Sequence, residues 1–275
     1  MHLKVKKSRG VALILVLMIT AVMAVIMLYM SGQGQNNARL GGIIKQHTKA
    51  KLKIESAQAE LVFSFMTSPF SVVGPRDDFQ GEPVVNYFTD NLLGRVNALP
   101  DFNVKVQDIG GLVSLVPFNE KEFTRLLSAN GIEQSAILRI LDRFDDWQDL
   151  DNLTRLEGAE RGDYKAPYLP RNMTIQSTKE LLYILDDEEL YKKIEPNIAL
   201  YGGSYINRQF MPKSLYSAFG VSKSDTPDTP AYPSGRFVIE INTDKEVSIT
   251  KRFTLLRGQD SFRPYFIIDD ELIFK

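Results

Sequence analysis

The sequence contains no cysteine. This absence excludes a disulfide framework, zinc sites built on thiolates and a cysteine nucleophile. It does not locate the protein, because a chain without cysteine is compatible with a reducing or an oxidising compartment. Length is no obstacle to a packed core, since 275 residues suffice for one or two domains.

The chain also lacks an excess of basic residues. It has 33 Lys and Arg against 34 Asp and Glu, and Lys4, Lys6, Lys7 and Arg9 stand within the first ten positions. The remainder of the chain is therefore acidic. An acidic body argues against a nucleic-acid-binding surface, because phosphate groups are neutralised by clustered Lys and Arg.

A long apolar run, VALILVLMITAVMAVIMLYM, occupies residues 11–30. At about 1.5 Å per helical residue it spans roughly 30 Å, the thickness of a bilayer core. A secretory signal peptide would have a shorter apolar region and a small-x-small cleavage site, so a membrane anchor is the favoured interpretation. The basic residues before the run predict an N-terminus in the cytoplasm and a globular part outside the inner membrane.

An amphipathic helix is predicted to continue from this anchor. Apolar residues recur at steps of three and four up to Pro69, which ends the pattern. The stripe consists of Ile43, His47, Ala50, Ile54, Ala57, Leu61 and Phe65. We interpret His47 as a packing residue rather than a ligand, because the other members of the stripe are apolar.

Period-two alternation predicts strands near both ends of the remaining chain. Residues 103–108 and 112–116 flank two glycines and predict a β-hairpin. Further strands are predicted at 237–241, 247–255 and 265–268. The segment between these two groups is helical in pattern.

Helix starts are readable in that middle segment. Asn119 with Glu122 marks one, and Ser177 with Glu180 forms a capping box. The predicted helices begin after Asn119, Ile132 and Ser177 and cover about 188–194 and 212–219, with a further short helix around 84–97. The simplest architecture is an antiparallel sheet interrupted by an inserted helical domain.

Two segments resemble one protein family. Arg9-Gly10 lies directly against the apolar run, as in the class III leader that prepilin peptidase removes from type IV pilins and pseudopilins. The segment Asp146-Trp147-Gln148-Asp149-Leu150-Asp151, with Gly158-Ala159-Glu160 and Tyr164 after it, resembles the signature of the K-type minor pseudopilins of type II secretion systems. Most pilins carry glutamate at the fifth mature position, here Leu15, whereas the K type typically lacks it.

This resemblance implies an α+β pseudopilin fold. Such a fold has a long N-terminal helix packed on an antiparallel sheet, here with a large inserted α-helical domain. The expected parts are a leader (1–10), the transmembrane and amphipathic helix (11–66), a first sheet segment (67–118), the inserted helical domain (119–232) and a second sheet segment (233–275). Leader cleavage between Gly10 and Val11, and methylation, are implied as well.

The function implied by the family is assembly rather than catalysis. The chain would nucleate or cap the pseudopilus at its tip, in complex with the I-type and J-type minor pseudopilins. The H-type and major pseudopilins, prepilin peptidase and the inner membrane are further expected partners, and nucleic acid is not.

A dense acidic cluster raises the question of a metal. Seven carboxylates lie between Asp142 and Glu160, with no lysine among them, and such a cluster repels itself unless something neutralises it. Calcium takes six to eight oxygen ligands, and K-type relatives are similar in binding calcium in this domain. The residues that match the acidic pattern are Asp146, Asp149, Asp151, Asn152 and Glu160. The segment lacks the glycine and the twelve-residue frame of an EF-hand.

Other interpretations of these features stay open. The cluster could be a solvated acidic face, or it could supply two catalytic carboxylates to an anchored hydrolase. A minor pilin of a type IV pilus or DNA-uptake system is a further alternative, since Asn130-Gly131-Ile132 resembles a helix-hairpin-helix turn. The acidic residues that follow this turn disfavour contact with DNA.

Overall fold

The computed structural model describes residues 9–74, 92–166, 168–222, 232–243, 248–258 and 262–274. Most of the predicted leader, residues 1–8, therefore lies outside the described residues. The chain divides into two compact units, Met1–Lys53 and Ile54–Lys275.

The first described element is a helix of 59 residues, α1 (Arg9–Thr67). Its apolar segment is exposed along residues 11–30, and the helix is long and apolar enough to cross a membrane. Glycines at 32, 34, 41 and 42 do not interrupt it. Pro69 begins the short helix α2 (Phe70–Val73), so the predicted end of the helical pattern is confirmed.

The C-terminal part of α1 forms the core of the second unit together with a sheet. Ile54, Leu61 and Phe65 are buried, and the ring centroids of Phe65 and Phe237 lie 4.8 Å apart. His47, in the first unit, is exposed, so the predicted packing role of this residue is not seen. The apolar stripe thus becomes a buried face only from Ile54 onward.

The sheet has five antiparallel strands in the order β1-β2-β5-β6-β7. Its strands are β1 (Leu93–Ala98), β2 (Asn103–Asp108), β5 (Arg236–Thr243), β6 (Ile249–Arg257) and β7 (Tyr265–Phe274). Side chains of β5 alternate strictly between buried and half-buried, as a strand with one face on the core requires. The α+β class is confirmed. The turn predicted at 242–245 lies partly outside the described residues.

Two local predictions before the insertion are wrong. Residues 93–98 form β1 instead of the end of a helix at 84–97, and residues 84–91 lie outside the described residues. The predicted hairpin of 103–108 with 112–116 does not form, because β2 pairs with β1 and β5. After β2 the chain makes a 3₁₀ turn at Ile109–Gly111, and β3 (Val113–Ser114) then pairs in parallel with β4 (Ile198–Ala199).

The 3₁₀ turn is fixed by contacts that no local pattern reveals. The buried carboxylate of Asp108 accepts hydrogen bonds from the backbone N–H groups of Gly110 at 2.6 Å and Ser234 at 2.7 Å. A Cβ atom on Gly111 would lie 1.9 Å from the carbonyl oxygen of Phe210, so only glycine lets the two segments approach.

Five helices occupy the chain between β3 and β5. They are α3 (Glu120–Ala129), α4 (Gln134–Gln148), α5 (Leu181–Leu185), α6 (Glu188–Ile194) and α7 (Tyr216–Phe219). The predicted caps are confirmed: the Asn119 side chain accepts from the Glu122 N–H, and Ser177 forms a capping box with Glu180. Their apolar faces share one buried cluster around Phe123, Phe144 and Trp147.

Candidate metal centre

The candidate metal centre is a group of carboxylates at the C-terminal end of α4. Asp146 stands in the last turn of this helix, where its side chain is 0% exposed, and Asp149 follows directly after the helix as its cap residue. Residues three apart in a helix share a face, so the spacing of these two carboxylates places them together. The helix C-terminus adds negative partial charge and makes their proximity costlier.

The third carboxylate arrives from a loop. Gly158 packs against Asp146 so closely that a Cβ atom would lie 1.8 Å from Asp146 Oδ2. Glycine at 158 therefore lets the backbone pass the carboxylate and bring Glu160, only 3% exposed, into the interior. One oxygen each of Asp146, Asp149 and Glu160 lie within 4.8 Å of one another.

Several oxygens of this group lack hydrogen-bond donors. Among the residues that the structure describes, none donates a hydrogen bond to either carboxylate oxygen of Glu160 or to Asp149 Oδ1, and all three atoms are buried. A buried carboxylate without a donor or cation is strongly disfavoured. The three carboxylates therefore fit a hard cation, which takes oxygen ligands.

One cationic side chain already contacts two of these carboxylates. Arg155 Nη1 lies 2.5 Å from Asp146 Oδ1 and 2.6 Å from Asp149 Oδ2, and its Nε is 3.7 Å from Asp145 Oδ2. The Arg155 backbone N–H also donates to Asp146 Oδ2 at 3.2 Å. One guanidinium does not neutralise Asp146, Asp149 and Glu160, so this group keeps a net negative charge that favours a divalent ion.

Burial and neighbouring negative charges shift the pKa values of groups in the site. Burial, together with the charges of Asp146 and Asp149, raises the pKa of Glu160. Burial also raises the pKa of Asp145, although Arg155 acts in the opposite direction. Burial raises the pKa of Tyr164 to about 12, so this phenol stays neutral beside the carboxylates.

The remaining two predicted ligands lie at the surface. Asp151 is exposed, and its Oδ1 accepts a hydrogen bond from the Leu153 N–H at 2.8 Å. Asn152 is exposed as well, and its Oδ1 lies 3.5 Å from Asn172 Nδ2. The structure thus brings together Asp146, Asp149 and Glu160.

Comparison with known proteins finds similarity in the part of the chain that contains this centre. A family model for the type II secretion system protein K matches residues 96–203, a range that contains all the carboxylates above. The type II secretion system protein K of Aeromonas hydrophila is 29% identical over 211 residues, which span 70% of this chain and 63% of the relative. The chain is thus similar to type II secretion system protein K over residues 96–203, and it spans about 63% of the length of this relative.

A solved structure supports the fold of this chain. A chain in the crystal structure of the GspK-GspI-GspJ complex from the type 2 secretion system of enterotoxigenic Escherichia coli superposes with a TM-score of 0.56. The match covers 84% of this chain and 99% of that chain at 13% sequence identity, so it supports the shared fold. The α+β pseudopilin fold expected from the sequence is confirmed.

Sequence reasoning missed the buried contacts of Trp147 that support the centre. The indole of Trp147 is buried and donates from Nε1 to Glu180 Oε2 at 2.8 Å, while Tyr164 and Tyr183 pack against its ring. Glu180 also accepts from Arg171 at 3.2 Å. The capping box had identified Glu180 only as a local cap, because the contact with Trp147 spans 33 residues.

We predict that Glu160→Gln stabilises the inserted domain when divalent ions are removed. A raised carboxyl pKa means that the folded state binds the proton more tightly, so stability falls as pH rises from about 4.5 through the raised value. At neutral pH the neutral amide should raise the free energy of unfolding by on the order of 1 kcal/mol and weaken its pH dependence. Trp147 fluorescence during denaturation of the full-length protein in detergent and chelator would measure both.

Glu157→Gln is the matched control for this variant. Glu157 forms an exposed ion pair with Arg139, so its substitution should change stability by no more than about 0.5 kcal/mol. A Glu160→Gln protein that unfolds more easily than the unsubstituted chain in chelator would contradict the assignment of Glu160 as an uncompensated buried charge.

Proposed function

We propose that this protein is the minor pseudopilin at the tip of a type II secretion pseudopilus, where it nucleates or caps the filament for export of folded proteins. Similarity to type II secretion system protein K supports a role in type II secretion. The observation that carries the tip position is the insertion: residues 109–235, including helices α3 to α7, lie between β2 and β5 of the pilin-type sheet. A domain of this size is hard to accommodate in a filament shaft, where each subunit has neighbours above and below.

The N-terminal half of α1 supports an anchor in the inner membrane. Residues 11–30 are apolar and exposed on all sides of the helix, which suits lipid or the helices of other subunits. Basic residues cluster before this segment and favour a cytoplasmic N-terminus with a periplasmic body. Leu15 has no carboxylate that could pair with the N-terminal amine of an adjacent subunit in the filament. This is expected of a subunit at the tip, because it has no neighbour above it.

We propose the I-type and J-type minor pseudopilins as direct partners. The crystallised relative assembles with GspI and GspJ, as its name states. Long apolar and amphipathic helices beside α1 would cover the side chains that α1 leaves exposed, including Leu52 and Phe63. H-type and major pseudopilins would follow below the tip, and prepilin peptidase would remove the leader and methylate the new N-terminus.

Calcium is the proposed ion of the centre. Asp146, Asp149 and Glu160 would hold it, and Asp151 and Asn152 stay predicted ligands that would approach only if the loop moves. Calcium accepts carboxylates in one-oxygen or two-oxygen modes and completes its shell with water or carbonyls. When bound, it would supply charge neutralisation and a link between α4 and the loop rather than chemistry.

The hydrolase alternative finds no support in this geometry. A general acid needs a raised pKa, which Glu160 has, but it must also reach a substrate. Glu160 is buried in the inserted domain, and Arg155 covers Asp146 and Asp149. We therefore propose an assembly role without catalysis.

The leader prediction is tested at Gly10. Because prepilin peptidase cleaves after glycine, Gly10→Val should leave the protein unprocessed and abolish secretion in cells that lack the native copy. N-terminal sequencing of the wild-type membrane protein should begin at Val11. A different N-terminus, or normal processing of Gly10→Val alongside the control Gly42→Val, would contradict the assignment.

The tip position is tested by cysteine chemistry, since the chain has no cysteine of its own. Ser56 on α1 and Ser128 on α3 are both exposed, and each becomes a single reactive site by substitution to cysteine. Ser56→Cys should cross-link to other pseudopilins. Ser128→Cys should accept a bulky polyethylene glycol maleimide without loss of secretion, because the insertion would lie outside the filament. Blocked secretion after labelling at position 128 would contradict a tip location.

The calcium proposal is tested by thermal unfolding of the full-length protein in detergent. At an ion concentration of 100 times the dissociation constant, calcium should stabilise the fold by roughly 2.7 kcal/mol relative to chelator. Asp149→Ala with Asp151→Ala should remove this difference, whereas Glu188→Ala with Glu189→Ala, two exposed acids on α6, should retain it. A melting temperature of the unsubstituted protein that calcium does not change would contradict the proposal. The cluster would then be interpreted as a solvated acidic face.

A further inference from the structure

We propose that Arg155 is an internal cation that competes with the metal ion for Asp146 and Asp149, so that ion binding displaces Arg155 and rearranges the loop of residues 150–157. This inference rests on the calcium site proposed above and concerns how this chain controls it. Asp146 and Asp149 are two of the ligands that the ion requires, and Arg155 Nη1 already lies 2.5 and 2.6 Å from them.

The two cations exclude each other by geometry. Calcium binds carboxylate oxygens at 2.3–2.6 Å, and the guanidinium nitrogen stands at about that distance from the same two oxygens. Two positive charges on shared oxygens in a buried site would repel each other strongly. Arg155 must therefore withdraw from Asp146 when an ion enters.

Glu160 explains why an ion can win this competition. Arg155 contacts Asp146 and Asp149, but neither oxygen of Glu160 accepts a hydrogen bond from any residue in the described part of the chain. One guanidinium thus contacts two of the three carboxylates and leaves buried Glu160 without a counter-charge. A divalent ion could contact all three, because their oxygens lie within 4.8 Å of one another.

The loop that carries Arg155 can move without loss of apolar packing. Leu150, Leu153 and Leu156 are each at least 77% exposed, so none of them holds the loop against the domain. Its described attachments are polar: Arg155 contacts Asp146 and Asp149, Asp151 and Asn152 contact the side-chain amide of Asn172, and Glu157 contacts Asp142 and Arg139. Replacing the side-chain contacts of Arg155 by an ion would change one of these attachments and leave the others in place.

Arg155 is 38% exposed in its side chain and therefore has a route to solvent. On release, its guanidinium would regain hydration, and it could still pair with Asp145, whose carboxylate lies nearer the surface. The exchange swaps an internal ion pair for a bound ion and frees Arg155 and the exposed leucines beside it to adopt another arrangement. Ion concentration would in this way set the conformation of one surface of the inserted domain.

The test is calcium titration of the full-length protein in detergent, by calorimetry and by the fluorescence of its only tryptophan, Trp147. Arg155→Gln removes the competing charge and should tighten calcium binding at least tenfold. Arg155→Lys keeps a positive charge that contacts fewer oxygens. Its calcium affinity should lie between those of the unsubstituted protein and Arg155→Gln. Arg139→Gln removes a positive charge that pairs with Glu157 on the surface, without contact to Asp146 or Asp149, and should change affinity less than threefold.

Thermal unfolding separates competition from a merely structural role. In chelator, Arg155→Gln should melt below the unsubstituted protein, because Asp146 loses its counter-charge, and saturating calcium should abolish that difference. Equal or weaker calcium binding by Arg155→Gln would overturn the inference and leave the calcium site standing. Tightening no greater than that of Arg139→Gln would also overturn it. A failure of both the unsubstituted chain and Arg155→Gln to bind calcium would overturn the site and the inference together.

Discussion

The repulsion among three neighbouring carboxylates at one helix end is the constraint on which the proposed centre depends. Asp146 and Asp149 follow from the helical spacing of α4, and Glu160 is carried in by a loop that passes Asp146 at Gly158. The helix dipole disfavours negative charge at this end. Arg155 supplies one positive charge, which contacts Asp146 and Asp149 but leaves Glu160 without a counter-charge.

This constraint reaches the sheet through short links in the second unit. Trp147, next to Asp146, donates to Glu180, which caps the start of α5. Beyond these helices, β4 pairs with β3, and the side chain of Gln107 in β2 donates to the carbonyl oxygen of Phe210 at 2.8 Å. A side-chain hydrogen bond from Gln107 thus anchors the helical insertion to the five-stranded sheet, and backbone hydrogen bonds join β3 to β4.

Sequence reasoning succeeded where the deciding interaction is local. The caps at Asn119 and Ser177 depend on residues three positions away, and both were predicted. The hairpin failed because the partner of residues 113–114 is β4, more than eighty residues later, and no periodicity reveals that pairing. The same limit applies at the metal centre. Helical spacing pairs Asp146 with Asp149, but it does not reveal the contacts of Arg155, because the position of Arg155 depends on the loop.

The absence of cysteine makes the proposed ion site more important for the body of the protein, which we propose to be periplasmic. A domain outside the cytoplasm commonly fastens loops with disulfides, which this chain cannot form. An ion held by Asp146 and Glu160 would join the end of α4 to a loop residue fourteen positions later, which is the kind of closure a disulfide provides. Unlike a disulfide, that closure is reversible and depends on ion concentration, because binding to the folded state alone stabilises it. With Arg155 as the alternative cation, Asp146 and Asp149 would have a counter-charge before calcium binds. The insertion could therefore fold first and acquire its ion-bound arrangement afterwards.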